Sequence, residues 1–492
     1  MKKFVTLTIL SALLTAQLAG CGATPPTPDE ATTTLPEGTT AAETDYSYPY
    51  PTEGYGGEEF GMLNIEDIYT MHCQIDREQL TGDVLDDALF NRNKLIETKF
   101  DIVLKEHLVT ETWEFKTCPA EAQKAILAGD SEYDVMFIPV AGSSGLITDG
   151  AFIDLKTVDS VQLDKPWWYS SYNDAFTLNG KLYGAMGGAH LCIHDGTRVI
   201  AFNSDMMKTL GLDLPYDIVR EGKWTLDVFN TYLTAAANLN GDDSAAWLKD
   251  GKTVYGFTNN QNSVVKFMQG FGENMVEMKN GKLVYTAGSE RFYDSISKLA
   301  KVLTVSDAKG INAPNGDDSV SDDGNPGYLY IFTSKRALFS DAEVNKFQGF
   351  RTLDFEYGII PYPKYDENQE NYYCDTWQGA PAAFIPVTSK DPEKVGLILD
   401  AMAYEGERTV VPAFRKFTVE QKGLRNDDSI EMLEIVTKNI VPVYYALYGI
   451  SDEIYTQAGK DIWLGENSTA SVAASEKTKI ETQIKEITEK WK

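Results

Sequence analysis

The sequence predicts an α/β fold, because short apolar runs typical of buried strands alternate with segments of helical periodicity. The run at 133–138, YDVMFI, is flanked by turn residues, as expected for a buried strand of a parallel sheet. A helical segment at 118–129 precedes it and ends at a glycine. With 492 residues, 43% of them hydrophobic, the chain is long enough for two or more domains with large cores.

Further elements follow in the same alternation on both sides of that strand. Upstream we expect a strand at 63–71, a helix at 91–100 and a second strand at 102–108. Downstream we expect a strand group at 183–202, a helix-rich stretch at 225–303, strands at 357–362 and 382–387, a helix at 392–404 and mostly helices over 427–492. Ligands of such sheets bind outside the carboxyl ends of the strands, which here places the crevice around 142–145.

The first twenty-one residues carry the features of a secretory signal followed by a lipid attachment site. Two lysines precede an apolar segment at 4–14 that is too short to span a bilayer. The sequence LAGC at 18–21 resembles a bacterial lipobox, so we expect residues 1–20 to be removed and Cys21 to carry lipid. The alternative is an ordinary secretory signal with an incidental cysteine. On the first interpretation the protein is anchored at the extracytoplasmic face of the cell membrane, as on the outer face of a Gram-positive-type membrane.

Composition predicts a flexible tether and excludes several partners. Residues 21–60 are rich in proline, threonine, glycine and glutamate, so we expect a disordered linker after the lipidated cysteine. The net charge of −29 disfavours binding to nucleic acid and to anionic membrane surfaces. No second apolar stretch of about 18 residues follows, so the lipid is the only membrane attachment that we expect.

Beyond the lipid attachment site the chain has four cysteines, Cys73, Cys118, Cys192 and Cys374. They contain no C-x-x-C pair, which argues against a zinc ribbon or a thioredoxin-like motif. One or two disulfides and free buried thiols both remain open at this point.

Seven segments occur in an order that carries a family resemblance. They are YDVMFIPVAGSSGLITDGAFIDL at 133–155, FTLNGKLYGAMGG at 176–188, RVIAFNSDMMKTLGLDLPYDIVREGKWTLDVF at 198–229, VYGFTNN at 254–260, FTSKRALFSD at 332–341, YGIIPYPK at 357–364 and FIPVTSKDPEKVGLILDAMA at 384–403. Together they resemble the bacterial extracellular solute-binding proteins of carbohydrate ABC transporters, family 1, which includes maltose-binding protein. The third segment matches best, through its F-N-x-D phrase, its helix ending at Gly211 and the Trp-Thr pair before the next helix.

The resemblance implies two α/β lobes of the type II periplasmic-binding-protein fold, joined by a hinge, with a ligand cleft between them. Lobe one would comprise residues 61–190 and 358–415, and lobe two residues 195–357 and 416–492. The resemblance further implies a monomeric receptor, not an enzyme and without a cofactor. It would bind a carbohydrate, in particular an oligosaccharide, and deliver it to the permease subunits of an ABC importer.

Seven residues are assigned to ligand binding within this framework. They are Ser143, Ser144, His190, Asn259, Asn260, Asp341 and Trp377. The serines follow the strand at 133–138 and offer hydroxyl groups to a sugar. Trp377 lies in a polar loop and offers a flat apolar face, although a position in the core is its alternative. The sequence departs from the family at 189–197, an insertion at the first crossover, and at 312–327, a long acidic loop.

The insertion contains a cluster of possible metal ligands. On a strand, alternation would place His190, Cys192 and His194 on one face. Neighbouring ligands would then lie about 7 Å apart, too far to converge without a bend. We therefore predict no metal site, and leave a ligand contact from His190 and a plain loop as the alternatives.

Two other classes of protein compete with the receptor interpretation. The 73 acidic residues contain many accidental pairs of carboxylates, so a secreted cell-surface glycoside hydrolase is the main alternative. A structural adhesin is the third, and it predicts neither a small-molecule cleft nor lobe closure. P-loop, kinase and serine-hydrolase motifs are not found in the sequence.

Overall fold

The arrangement of the predicted elements is seen in a computed structural model, which describes residues 48–51, 53–245, 250–259, 263–303, 312–314, 327–420 and 426–491. The predicted signal peptide, the lipid attachment site Cys21 and most of the acidic loop at 312–327 lie outside the described residues. No helix in the described ranges is long and apolar enough to cross a membrane.

Two five-stranded sheets and one hairpin organise the described part of the chain. The strands are β1 (Glu58–Ile65), β2 (Ile102–Val109), β3 (Val135–Pro139), β4 (Gly184–Ala185), β5 (Arg198–Asn203), β6 (Tyr255–Asn259), β7 (Val276–Lys279), β8 (Lys282–Tyr285), β9 (Asn312–Pro314), β10 (Ala337–Glu343), β11 (Tyr357–Ile360) and β12 (Pro381–Phe384). The first sheet has the order β2-β1-β3-β12-β4 and the second the order β11-β5-β10-β6-β9, while β7 and β8 form the hairpin. We call the part of the chain built around the first sheet lobe one and the part built around the second lobe two.

Helices connect these strands and pack against them. They are α1 (Val84–Phe100), α2 (Thr117–Ala128), α3 (Val140–Thr148), α4 (Ser170–Phe176), α5 (Cys192–Asp195), α6 (Ser204–Leu210), α7 (Tyr216–Arg220), α8 (Leu226–Ala236), α9 (Ser263–Gly270), α10 (Glu290–Leu303), α11 (Gly327–Thr333), α12 (Phe347–Phe350), α13 (Pro392–Glu405), α14 (Val411–Glu420), α15 (Asp427–Thr437), α16 (Tyr444–Leu447), α17 (Glu453–Leu464) and α18 (Thr469–Lys490). A π-helical turn, Gly406–Val410, connects α13 to α14.

Each sheet combines parallel and antiparallel strands. In lobe one, β1 runs parallel to β2 and β3, as the predicted alternation of strands and helices requires, and β12 enters antiparallel between β3 and β4. In lobe two, β6 is parallel to β9 and β10, whereas β5 is antiparallel to β10 and β11. Every residue of β3, the apolar run that anchors the sequence prediction, is buried. The predicted α/β class is therefore confirmed.

The best-matching motif folds as its local sequence predicts. Asn203 caps α6, because its side chain accepts from Met206 N at 2.8 Å, and α6 ends at Gly211 in the left-handed conformation with φ of 67°. Thr225 caps α8 by accepting from Val228 N at 3.4 Å. Short-range signals thus determine how the chain leaves β5 and where the next helices begin.

The boundary between the lobes differs from the prediction at residue 358. Strand β11 pairs with β5 in lobe two, and the chain returns to lobe one only along 374–380, before β12. A short apolar strand can complete either sheet, so the sequence pattern leaves its partner open. The C-terminal region is also shared between the lobes, since α15 packs on β11 whereas α16 packs on α3 of lobe one.

The region predicted as a linker, 21–60, ends earlier than expected. Tyr48 is already buried, and its ring stacks on that of Tyr404 with the centroids 5.2 Å apart. Residues 58–60 belong to β1. Composition misses this because the tyrosines that dock on lobe one lie within a stretch otherwise typical of disorder.

Candidate functional site

Three crossover segments lie side by side and join the two lobes. A hydrogen bond of 3.1 Å from Arg198 N to Asp375 O pairs the first segment with the second. Another of 2.8 Å, from Val441 N to Cys374 O, adds the third segment. We call these segments the hinge, and they comprise residues 193–198, 374–380 and 439–441.

The carboxyl ends of strands from both lobes reach the hinge. In lobe one, Ala141 N lies just after β3 and donates to Gln378 O at 3.0 Å. In lobe two, Val344 N lies just after β10 and donates to Thr197 O at 3.1 Å. Because open α/β sheets bind ligands outside the carboxyl ends of their strands, the candidate site is the space between the lobes beside the hinge.

Lobe one places aromatic rings at the carboxyl ends of β1 and β2. Trp113 lies in the loop after β2 and is 72% exposed, while Tyr69 lies in the turn after β1 and is 47% exposed. The ring of Tyr69 meets the ring of Trp377 edge-on with the centroids 6.3 Å apart, and Phe115 meets the same ring at 5.5 Å. Exposed rings of this size supply apolar faces against which a flat ligand can stack.

The turn that carries Tyr69 also contacts lobe two. Met71 N donates to Ile68 O at 2.9 Å, and the residues between them, Tyr69 and Thr70, have φ of 54° and 67°, as in a type I′ turn. Tyr69 O accepts from Asn345 Nδ2 at 2.7 Å. Positive φ is unfavourable for tyrosine and threonine, so contacts hold the turn in place, and strained turns of this kind cluster at binding sites.

Lobe two and the hinge contribute a group of charged side chains that are largely shielded from water. We call it the charge cluster, and its members are Arg198, Lys266, Asp341, Glu343 and Asp375. Lys266 pairs with Asp341, which also accepts from the Tyr362 hydroxyl at 2.6 Å. Arg198 pairs with Glu343, and its Nε lies 4.0 Å from Asp375 Oδ2.

Several buried polar atoms beside the hinge lack a hydrogen-bond partner among the described residues. They include Arg198 Nε and Asp375 Oδ1 of the charge cluster, and Asn345 Oδ1 beside the Tyr69 turn. Buried polar atoms are nearly always hydrogen-bonded, and leaving one unpaired costs about 1–3 kcal/mol. These atoms therefore represent hydrogen-bonding capacity beside the hinge that the described residues leave unused.

Burial shifts the titration of two members of the charge cluster, Lys266 and Asp375, towards their neutral forms. It lowers the pKa of Lys266 to about 8, an effect that the Asp341 carboxylate opposes. It raises the pKa of Asp375, which Arg198 opposes. The Asp341 carboxylate thus helps to keep Lys266 charged at neutral pH.

The two serines predicted to bind ligand use their hydroxyl groups within the protein. Ser143 is buried and its Oγ donates to Val140 O at 2.9 Å, while Ser144 Oγ donates to Tyr448 O at 3.0 Å. Helix α3 begins directly after β3, so the segment at 142–145 is helical rather than the loop that the crevice argument assumes. Ser144 instead connects α3 to the end of α16.

His190 lies in the interior of lobe one, next to the hinge. Its ring is buried, Nδ1 accepts from Cys192 N at 3.2 Å, and Nε2 lies 3.4 Å from Asn64 Oδ1. Burial, with a contribution from Arg92, lowers the pKa of His190 to about 3, so the imidazole is neutral at physiological pH.

The strand geometry considered for the insertion at 189–197 is wrong. Residues 192–195 form the short helix α5, so His190, Cys192 and His194 do not share one face of a strand. In the part of the chain that the structure describes, no group of three or more His, Cys, Asp or Glu side chains is arranged to hold a metal ion.

The remaining predicted residues have different positions. Asp341 belongs to the charge cluster, Asn259 is buried at the end of β6, and Asn260 lies outside the described residues. Trp377 is only 7% exposed, so it supports the Tyr69 ring rather than presenting the open face that its polar loop suggests. Polar neighbours in sequence mislead here because distant segments cover the indole.

Sequence reasoning missed Tyr69, Trp113, Arg198 and Lys266. The sequence does point to Trp113, because it follows the predicted strand at 102–108 and ligands of open α/β sheets bind outside the carboxyl ends of strands. The two cations give no such signal. A lysine or arginine is expected at the surface unless its partners are known, and these partners come from distant parts of the chain.

Comparisons with known proteins find similarity to solved structures but not to family models or curated sequences. No protein-family model matches the chain, and no curated protein sequence matches it. Among solved structures, the galacto-N-biose-/lacto-N-biose I-binding protein of the ABC transporter from Bifidobacterium longum is similar with a TM-score of 0.57 at 14% identity, over 88% of this chain and 99% of that chain. An ABC substrate-binding protein from Listeria monocytogenes, in complex with cycloalternan, has a TM-score of 0.54 at 14% identity, over 87% and 99% of the two chains. A cyclo/maltodextrin-binding protein complexed with maltotetraose has a TM-score of 0.54 at 13% identity, over 89% and 98%.

All three of these solved structures are substrate-binding or sugar-binding proteins with one fold in common. The chain has the two-lobed α/β fold of ABC-transporter substrate-binding proteins, and the fold predicted from the sequence is confirmed. At these identities the likeness extends to the fold, and the ligand has to be argued from the residues of this chain.

Proposed function

We propose that the protein is the extracytoplasmic substrate-binding receptor of an ABC importer, which binds a carbohydrate between its lobes and presents it to the permease. The observation that carries this proposal is the meeting of two kinds of group beside the hinge. Lobe one supplies the exposed rings of Tyr69 and Trp113, and the hinge supplies two buried polar atoms, Arg198 Nε and Asp375 Oδ1, that have no hydrogen-bond partner among the described residues. Sugars need both, because their C–H faces stack on rings while their hydroxyl groups form hydrogen bonds.

The remaining parts of the proposal concern location and partners. The LAGC motif at 18–21 supports removal of a signal peptide and lipid attachment at Cys21, and the residues before Tyr48 then tether the body to the outer face of the membrane. The protein acts as a monomer and performs no chemistry on its ligand. Closure of the lobes about the hinge creates the surface that the permease recognises.

Binding is tested with a secreted form that lacks residues 1–21, screened by thermal unfolding against mono- and oligosaccharides. A true ligand at 100 times its Kd adds about 2.7 kcal/mol to the free energy of unfolding, and calorimetry should then give one site per chain. The bound sugar should be recovered unchanged after long incubation. Release of smaller sugars would establish the glycoside hydrolase instead, and a screen in which no carbohydrate binds would reject the receptor for sugars.

Closure is tested by small-angle scattering of the same form with and without its sugar. We expect the radius of gyration to fall modestly on saturation, because the lobes approach each other about the hinge. An unchanged profile at proven saturation would count against closure but not against binding.

A further inference from the structure

Two buried thiols meet where the loop after β1 packs on the start of α5, next to the hinge. Cys73 Sγ and Cys192 Sγ are 2.8 Å apart, and both residues are fully buried. A disulfide joins sulfur atoms about 2.05 Å apart, so a movement of less than about 1 Å separates the two thiols from a bond. The other described cysteines, Cys118 and Cys374, contact backbone carbonyl groups instead.

The backbone on both sides of this contact is already held in place. Asn64 Nδ2 donates to Cys73 O at 2.8 Å. Across the contact, the Asp195 carboxylate at the end of α5 accepts from His72 N at 2.8 Å and lies 2.9 Å from His72 Nδ1. The fold therefore presents the two sulfur atoms to each other, and these hydrogen bonds hold the backbone on both sides of the contact.

We propose that Cys73 and Cys192 form a disulfide bond in the mature protein. The proposal rests on the extracytoplasmic location proposed above, since disulfides persist in oxidising compartments and are rare in the cytosol. The two thiols lose two protons and two electrons as the S–S bond forms. A protein or small-molecule disulfide outside the membrane accepts them and is itself reduced to two thiols.

The bond forms before the loop after β1 has packed on the hinge. In the folded, reduced protein, burial raises the pKa of the Cys192 thiol well above its ordinary value, and the hydrogen bond with Cys73 adds to this effect. The thiolate that attacks an oxidant is then scarce and hidden. The same burial protects the finished bond from reductants.

The bond attaches one wall of the candidate site to the hinge. Cys73 lies shortly after the turn that carries Tyr69, and Cys192 begins α5 in the first crossover. With the sulfur atoms joined, the Tyr69 turn and the first crossover move as one piece. A wall fixed in this way loses less conformational freedom when a ligand binds.

The bond is tested on the full-length mature protein isolated from membranes and unfolded without reductant. We expect N-ethylmaleimide to modify Cys118 and Cys374 only, and all four described cysteines after reduction. Proteolysis of the unreduced protein should release the Cys73 peptide joined to the Cys192 peptide. Modification of all four thiols before reduction, in protein that an added protease reaches on intact cells, overturns the proposal.

The location is tested separately, so the two proposals can fail independently. If protease added to intact cells does not reach the protein, the location proposed above is wrong. The isolated protein is then unfolded and refolded with oxidised glutathione. Formation of the Cys73–Cys192 linked peptide supports the pairing, and its absence overturns it.

Stability provides a second measurement. Wild-type protein reduced in denaturant, refolded and kept under reductant should melt about 5 °C lower than the oxidised protein, because the bond closes a long loop of the unfolded chain. The double variant Cys73→Ser, Cys192→Ser should lose this dependence on reductant, whereas the matched control Cys374→Ala should retain it. Equal melting of oxidised and reduced wild-type protein contradicts the bond even if the double variant fails to fold.

Discussion

The two lobes differ in the kind of side chain that departs from the usual pattern of burial. Lobe one offers large apolar rings, Trp113 and Tyr69, that remain exposed. Lobe two offers charged groups, Lys266 and Asp341 among them, that are buried. Large apolar rings are usually buried and charged groups are usually exposed, so each lobe shows the reverse of the usual pattern for its kind of side chain.

Because of this difference, we expect substitutions in lobe one to change the affinity for a ligand and substitutions in lobe two to change the stability of the fold. An exposed ring contributes little to the fold, so its removal should cost contact with a ligand and little else. A buried ion pair belongs to the hydrogen bonding of the core, so loss of one partner should destabilise the folded state whether or not a ligand is present. Substitutions on the two sides of the hinge test this contrast.

The largest effect is expected on the lobe-two side. Lys266→Met leaves the Asp341 carboxylate buried without its cation and should lower the free energy of unfolding by about 3–5 kcal/mol. Denaturant unfolding measures the loss. The matched control is Lys105→Met, which breaks an exposed pair with Glu59 at 3.4 Å and should cost about 0–1 kcal/mol. Equal losses in the free energy of unfolding for the two variants would show that the Lys266–Asp341 pair contributes no more than an exposed pair.

Two tryptophans, one in the hinge and one in the loop after β2, should respond in opposite ways. Trp377→Ala removes a buried indole and should cost about 3 kcal/mol of stability. Trp113→Ala should leave the melting temperature nearly unchanged and weaken carbohydrate binding about tenfold, because a stacking face is lost. Leu127→Ala, which truncates an 81% exposed residue of α2, is the control for Trp113 and should alter neither property. Unaltered affinity in Trp113→Ala would remove this ring from the site.

The buried histidine next to the hinge should make the protein sensitive to mild acid. The pKa of His190 is lowered to about 3 in the folded state, so between that value and its ordinary pKa of about 6.5 the unfolded chain binds more protons. Stability therefore falls as pH falls through this window, and the step from pH 7 to pH 5 costs about 2 kcal/mol through this group.

Urea unfolding at the two pH values measures this cost. His190→Gln should reduce the difference between pH 7 and pH 5 by about 2 kcal/mol relative to wild type. His194→Gln is an independent check, because burial lowers the pKa of His194 to about 4. A pH dependence identical to that of wild type in both variants would show that other groups cause the acid sensitivity.

The smallest effect concerns the strained turn in lobe one. Thr70→Gly relieves a positive φ of 67° and should raise the free energy of unfolding by about 0.5–1 kcal/mol, after the entropy of the more flexible unfolded chain is subtracted. Thr98→Gly, inside α1, is the control of opposite sign and should lose about 0.5 kcal/mol. A loss of stability in Thr70→Gly would mean that the turn is not strained.

Predictions about local structure were accurate where the signal was short-range. The buried run at 133–138 is β3, the helix at 118–129 is α2, and the short helix α6 ends at Gly211. The errors concern burial and pairing. Trp377 is covered although its loop is polar, β11 joins the second sheet rather than the first, and Tyr48 docks although it follows a disordered composition.

The sequence alone determined the α/β class, the local signals that begin and end several helices, and the ordered motifs that resemble a substrate-binding protein. These features depend on the periodicity of apolar residues and on hydrogen bonds between near neighbours, and both are determined by residues close together in the sequence. Only the tertiary structure decided that Cys73 faces Cys192, that Arg198 lies beside Asp375, and that Trp113 is open while Trp377 is not. Each of these depends on segments more than a hundred residues apart in the chain or on the cover that such segments provide, and no local pattern encodes which of them meet.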